Sequence, residues 1–297
     1  MKKNLIKRYS LNNVNHSYLL IKFSNYIISN TNYTELLMLD NNLNLIETLK
    51  PPLKEIGIHY TYYHPDNEQV IFQLDDDDDT LLLFNIDNYQ FKLIKNPQSD
   101  YGSISVVYAW ANNQFHTTIG YDDKKILTID TSTLDVKLYS FEDRFKVAPE
   151  LAKKLEIIEQ LHCNRIIPGT QYFGVLDYDN TKTIKIINFQ GELVRKISIA
   201  NELDKNLYDS KGKVHPEKTP HEIRYQDGWF IIIWEKKIVI VSPRDNRITL
   251  YPKGTFFMFD RARFTKTAEN SADFVLLTSD YSCKESSELQ LYHVEDE

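Results

Sequence analysis

Six times along the chain a short apolar run ends in a polar turn and is followed by a second short strand. The copies are Leu36-Leu37-Met38-Leu39-Asp40, Leu81-Leu82-Leu83-Phe84-Asn85, Ile126-Leu127-Thr128-Ile129-Asp130, Ile184-Lys185-Ile186-Ile187-Asn188, Ile238-Val239-Ile240-Val241-Ser242 and Leu289-Gln290-Leu291-Tyr292-His293. Their first residues are spaced by 45, 45, 58, 54 and 51 positions, a period at which one unit is a small sheet in a radial array. The runs are apolar at nearly every position, where a sheet wet on one side would alternate, so both faces of each run must be covered. The pattern predicts an all-β chain: a six-bladed β-propeller of four-stranded blades, residues 1–297 forming one domain.

The second repeat parses most plainly, with strands at 56–63, 70–74, 81–85 and 91–95 separated by the turn residues Pro65-Asp66-Asn67 and Asp87-Asn88. The last repeat has no fourth strand after Leu289 to His293. The missing strand is predicted at the other end, where Asn4-Leu5-Ile6-Lys7-Arg8-Tyr9-Ser10 matches the pattern of Asp135-Val136-Lys137-Leu138-Tyr139-Ser140, so the N-terminal strand should close the ring. Between repeats 3 and 4, Pro149 and Glu150 suit a helix start. Leu151, Leu155, Ile158 and Leu161 then recur every three to four residues, which predicts a short helical insertion that lays its stripe on the propeller rim.

The net charge is -7, and Asp75, Asp76, Asp77, Asp78 and Asp79 account for five of those charges. A mildly acidic chain without a basic stripe is a poor match for nucleic acid, whose affinity comes mainly from cations on phosphates. The basic start lacks the apolar run of an export signal, and no apolar stretch approaches the eighteen or so residues of a membrane helix. The expectation is a cytoplasmic monomer with no membrane partner, in which Cys163 and Cys283 are free thiols.

In a four-stranded antiparallel blade, the connections from the second to the third strand and from one blade to the next leave on one face. Most of the long segments (75–80, 141–163, 177–182, 200–220 and 279–288) belong to that group, while the opposite face has brief turns. Elaborated loops on a rigid scaffold are where binding tends to sit. The candidate binding residues on that face are Asp75 to Asp79 with Tyr101, Tyr121, Asp122, Asp123, Asp177, Tyr178, Asp179 and Tyr281, a mixture of carboxylates and aromatic anchors. The Asp run admits three readings: a solvated turn, a contact for a basic partner, and a calcium site, for which the spaced Asp pattern with a turn Gly is missing.

Over its full length the chain resembles propeller repeats in general, without the Gly-His and Trp-Asp pairing, the double-Gly or the Ser-x-Asp-x-Gly signatures that name a family. Its layout also resembles that of six-bladed gluconolactonase-like hydrolases, which implies a divalent cation in the central channel. Glu55, Asp100, Asn164 and Glu222 lie at or near the starts of inner strands there. His59 and His116 fall inside strands and are expected to be structural. No phosphate loop, nucleophile elbow or Cys-x-x-Cys is present, so no cofactor and no catalytic residue is expected. The leading expectation is a non-catalytic protein-binding propeller, in its sharper form an immunity protein covering a basic bacterial toxin. The alternative is a metal-dependent hydrolase.

Overall fold

The computed structural model describes residues 1–11, 19–22, 25–30, 35–53, 58–64, 69–74, 80–95, 104–120, 124–161, 165–168, 171–176, 183–200, 220, 222–234, 237–251, 262–280 and 286–297. Strand β1 (Lys2–Ser10) stands apart in sequence from the blade it joins. Blade 1 is β2 (Leu20–Lys22), β3 (Tyr26–Asn30), β4 (Leu36–Asp40) and β5 (Leu45–Leu49). Blade 2 is β6 (Ile58–His64), β7 (Gln69–Leu74), β8 (Thr80–Asn85) and β9 (Gln90–Lys95), each within two residues of the sequence expectation. Blade 3 is β10 (Ile104–Ala111), β11 (Gln114–Ile119), β12 (Lys125–Asp130) and β13 (Val136–Ser140). Blade 4 is β14 (Arg165–Pro168), β15 (Tyr172–Leu176), β16 (Thr183–Asn188) and β17 (Leu193–Ser198); blade 5 is β18 (Glu222–Gln226), β19 (Trp229–Ile233), β20 (Ile238–Val241) and β21 (Arg247–Leu250). Blade 6 is β22 (Ala262–Ala268), β23 (Ser271–Asp280) and β24 (Ser286–Glu295), completed by β1, and the six antiparallel four-stranded sheets form the expected propeller.

The repeated phrase is the third strand of each blade, and its composition follows from its place. In β8 and β12 the four central residues are all buried, and β20 is buried along its whole length. Outer strands such as β1, β5 and β9 are mostly exposed. In blades 1 to 5 the polar residue that ends the phrase starts the turn to the outer strand. Asp40 Oδ1 accepts the amides of Asn42 and Asn44, both at 2.8 Å, and Asn188 Oδ1 accepts those of Gln190 at 3.0 Å and Glu192 at 2.9 Å. Asp130 and Ser242 do the same for their turns. These side chains satisfy amides that the ladder leaves open, and the chain then reverses through a left-handed residue, Leu43, Tyr89, Leu134, Gly191 or Asp245.

Facing blades share buried apolar clusters. Ile21, Met38 and Phe72 join blades 1 and 2; Tyr62, Ile71 and Phe115 join blades 2 and 3. Ile184, Ile186 and Val239 join blades 4 and 5, Ile231, Ile240 and Phe274 blades 5 and 6, and Leu37, Val275 and Leu289 blades 6 and 1. Blades 3 and 4 are different. After a 3-10 turn at Phe141–Asp143, the helices α1 (Arg144–Val147) and α2 (Pro149–Gln160) follow β13, and α2 stands between the two blades. Ala148, Leu151 and Leu155 pack on Ala109 and Ile126 of blade 3, while Ile157, Ile158 and Leu161 pack on Phe173, Val175 and Ile187 of blade 4. The helical stripe is therefore divided between two sheets and fills the ring's sixth interface, where the sequence suggested a rim contact. Lys154 bridges the same gap: its Nζ donates to the Tyr108 carbonyl at 2.9 Å and sits 3.9 Å from the centre of the Phe189 ring. Burial lowers its pKa to about 8.

β1 closes the ring as expected, pairing antiparallel with β24 from Lys2 opposite Glu295 to Ser10 opposite Glu288. Tyr9 and Leu11 enter the apolar cluster shared with blade 1. Lys2 bonds Glu297, Arg8 lies 3.6 Å from Glu288, and Lys7 Nζ donates to Asn44 Oδ1 of blade 1 at 2.6 Å. Among the described residues, no helix is long and apolar enough to cross a membrane. His116 is buried, with its Nδ1 3.0 Å from the Thr128 hydroxyl, the structural role expected of it; the side chain of His59, with Cys163 and Cys283, lies outside the described residues.

Deleting residues 1–10 removes a complete strand ladder and an apolar seal. The melting temperature should fall by about 2 °C or more for each kcal/mol lost, and an unchanged melt would refute ring closure. The closing sheet should also respond to pH. His293 is held above the usual imidazole range, foremost by its hydrogen bond to Asp273 at 2.5 Å, which outweighs the lowering effect of burial, with Glu295 at 3.2 Å adding to it. Because the native state holds this proton more tightly than the unfolded chain, the contribution is complete below the ordinary histidine pKa and is lost as pH rises through the raised native value. The stability difference between the protein and His293→Gln should therefore shrink on going from pH 5.5 to about 8.5, as chemical denaturation at each pH will show.

Candidate partner-binding face

The geometry of the blades decides which connections share a face. β7 ends at Leu74 and β8 begins at Thr80; β11 and β12 turn over between Ile119 and Lys125, β15 and β16 between Leu176 and Thr183, and β23 and β24 between Asp280 and Ser286. The inner strands of blades 5 and 6 start at the same level, as an ion pair between Glu222 and Arg263 shows, and in each antiparallel blade the turn from second to third strand lies at the end where the inner strand starts. The residues named from the sequence as binding candidates (75–79, 101, 121–123, 177–179 and 281) all lie outside the described residues, as do Glu55, Asp100 and Asn164. Their attachment points are described. Segment 141–161 departs from the expectation in part, because α2 descends between blades instead of lying over the face.

At the channel, Glu222 is the one candidate metal ligand among the described residues, and its environment is cationic. Residues 222 and 224 alternate along β18 and so project to the same side, and Arg263 is placed next to them by the start of β22. Glu222 Oε1 accepts from Arg263 Nη1 at 2.9 Å and forms an ion pair with the Arg224 guanidinium. All three side chains are largely buried. Nearby, burial pushes the Tyr172 phenol up to about 12, against the lowering effect of Arg224, and its oxygen accepts the Tyr225 amide at 2.7 Å. One carboxylate between two guanidiniums makes a cluster of net positive charge, which disfavours a divalent cation there. Among the described residues, no group of three or more His, Cys, Asp or Glu converges in a way that could hold a metal. The cluster instead pins blade 5 to blade 6 at the channel wall. The two arginines escaped the sequence reading, although the Glu-x-Arg alternation opening one inner strand and an Arg opening the next were there to be noticed.

No family model matches the chain, and no curated protein matches it. Among solved structures, it is similar to the WD40 domain of Neurospora crassa Pan2, at 10% identity over 99% of this chain and 96% of that one with a TM-score of 0.48. It is also similar to Kluyveromyces lactis Hsv2, at 9% identity over 98% of both chains with a TM-score of 0.48. The CNH domain of AfRom2 is 9% identical over 99% of both chains, with a TM-score of 0.47.

Replacing Glu222 by Gln should leave two buried guanidiniums short of a counter-charge and cost about 3–5 kcal/mol in chemical denaturation. Were Glu222 a metal ligand, the variant would instead differ from the parent only in the presence of the ion, and calcium or zinc would raise the parent's melting temperature.

Proposed function

We propose that the protein is a non-catalytic binding module that takes a basic protein partner on the face where second strands turn into third strands. The carrying observation is the state of Glu222. The described carboxylate at the channel is engaged by Arg224 and Arg263, which leaves the hydrolase reading without one of the four residues it named. The sequence then concentrates charge and aromatics in the segments attached to that face: Asp75 to Asp79, Asp122, Asp123, Asp177 and Asp179, interleaved with Tyr101, Tyr121, Tyr178 and Tyr281. Dense negative charge accelerates encounter with a cationic protein, and tyrosines supply rigid anchors once contact is made. The rigidity of six interlocked blades suits this role, because a contact surface mounted on a fixed frame loses little entropy on binding.

In its finer form the proposal is an immunity protein, which neutralises a basic toxin by covering its active surface. Charge complementarity and the absence of a named nucleophile support that form. The test is affinity capture from the native host, followed by association kinetics with the captured partner. Changing Asp75 to Asp79 into Asn should slow association at low salt by about tenfold or more and leave dissociation little changed, the signature of steering. Equal on-rates for the two proteins at low salt would refute the proposal.

A further inference from the structure

Strand β1 is the outermost strand of blade 6, and no strand among the described residues pairs with its other edge. It is 9 residues long, where the outer strands of the other blades have 4 to 6. It carries Lys2, Lys3, Lys7 and Arg8 and no acidic residue, in a chain whose net charge is -7. A bulge lies between Leu5 and Lys7, so Ile6 has no partner on β24; Ile6 is 59% exposed and Leu5 40%.

From these features we infer that β1 is a docking edge for an extended acidic segment of another protein, which adds to blade 6 as a fifth strand. An open ladder edge presents N–H and C=O groups that an extended chain satisfies and a helix or a lipid surface does not. The cations choose among extended chains. A second copy's β1 laid antiparallel would set four positive side chains against four, whereas an acidic strand meets Lys3 and its neighbours with opposite charge. Lysines and a bulge also discourage edge-to-edge aggregation, and an exposed apolar pair at the bulge recurs at Leu45 and Ile46 of β5 and at Leu193 and Val194 of β17, so what sets β1 apart is its length and its four cations. Ile6 beside Leu5 offers an apolar anchor to a segment that alternates acidic and aliphatic residues. Three of the four cations have partners within the molecule, Lys2 with Glu297 and Arg8 with Glu288 as ion pairs and Lys7 with the neutral Asn44, and none of these partners is an acid on β1 itself. This edge is distinct from the acidic face above and does not depend on it.

The test uses the full chain and two fluorescein-labelled peptides, one alternating Glu with Val and one alternating Lys with Val. Anisotropy at low salt should show binding of the acidic peptide only. Lys3→Glu combined with Ile6→Asp should weaken it at least tenfold, and amide exchange over residues 2–10 should slow when the peptide is bound. Both side chains are exposed, so the double variant should melt like the parent; if it does not, Lys3→Gln with Ile6→Ser serves in its place. Equal binding of both peptides, an unaffected variant, or unchanged exchange in β1 would overturn the inference. So would binding to phosphatidylcholine vesicles containing phosphatidylserine in the absence of peptide binding.

Discussion

Each blade is a sheet with two apolar faces, and such a sheet has no stable existence by itself. Burial at roughly 25 cal/mol per Å² of apolar surface is the main favourable term available to it, and a lone four-stranded sheet forfeits that term on both sides. Facing another blade satisfies one side only. A ring is the arrangement in which every face finds a partner, and the structure meets that requirement in two unlike ways. Five interfaces join sheet to sheet, and the sixth joins sheet to helix to sheet. The helix is thereby part of the frame: Leu151 serves blade 3 as a neighbouring β-strand would, and Ile157 serves blade 4.

The rim shows a second economy of design. In β1, β5 and β17 a bulge falls at the same level of the blade, leaving Ile6, Ile46 and Val194 without a partner. In two of these strands, the residue after the bulge is aimed across the gap. Lys7 reaches Asn44 of blade 1. Arg195 donates to the Ser242 carbonyl at 2.9 Å and to Asp245 at 2.8 Å in blade 5, and it also bonds the Gly228 carbonyl. A bulge turns a strand more sharply and redirects its side chains, so one extra residue converts a solvent-facing position into a tie between blades. Gly228 completes the second tie: its φ of +85° suits a hairpin turn, and a Cβ there would come within 3.1 Å of Pro243.

What the sequence made legible was whatever a local pattern records. The third strands announced themselves because burial on both faces forces consecutive apolar residues, and the ring closure because an orphaned fourth-strand pattern at residues 4–10 matched a missing fourth strand at the other end. The helical stripe was visible too, but amphipathic spacing states only that an apolar partner exists, not that Leu155 and Ile158 should face different sheets. The Glu222 cluster illustrates the same limit at the site. Its members are brought together by the angle between two blades, and 41 residues of chain separate Glu222 from Arg263. The candidate binding residues belong to connections in which no periodicity ties one position to the next, so only the strand ends that carry them follow from the pattern.

These two kinds of information bear differently on function. A frame stabilised by mutual burial tolerates change in its connections, because a connection contributes little to the clusters between blades and the entropy of lengthening it rises only slowly. The longer connections, within blades and between them, therefore cost the fold little, and charge can gather there without disturbing the core. The same reasoning assigns Glu222 to the frame: a carboxylate held by two guanidiniums at the channel wall is fixed by its neighbours, and replacing it disturbs the joint between blades 5 and 6 before it disturbs any ligand. On the proposed reading, recognition falls to the periphery, on the connections of one face and the open edge of β1, while the Glu222 cluster at the channel wall joins blades 5 and 6.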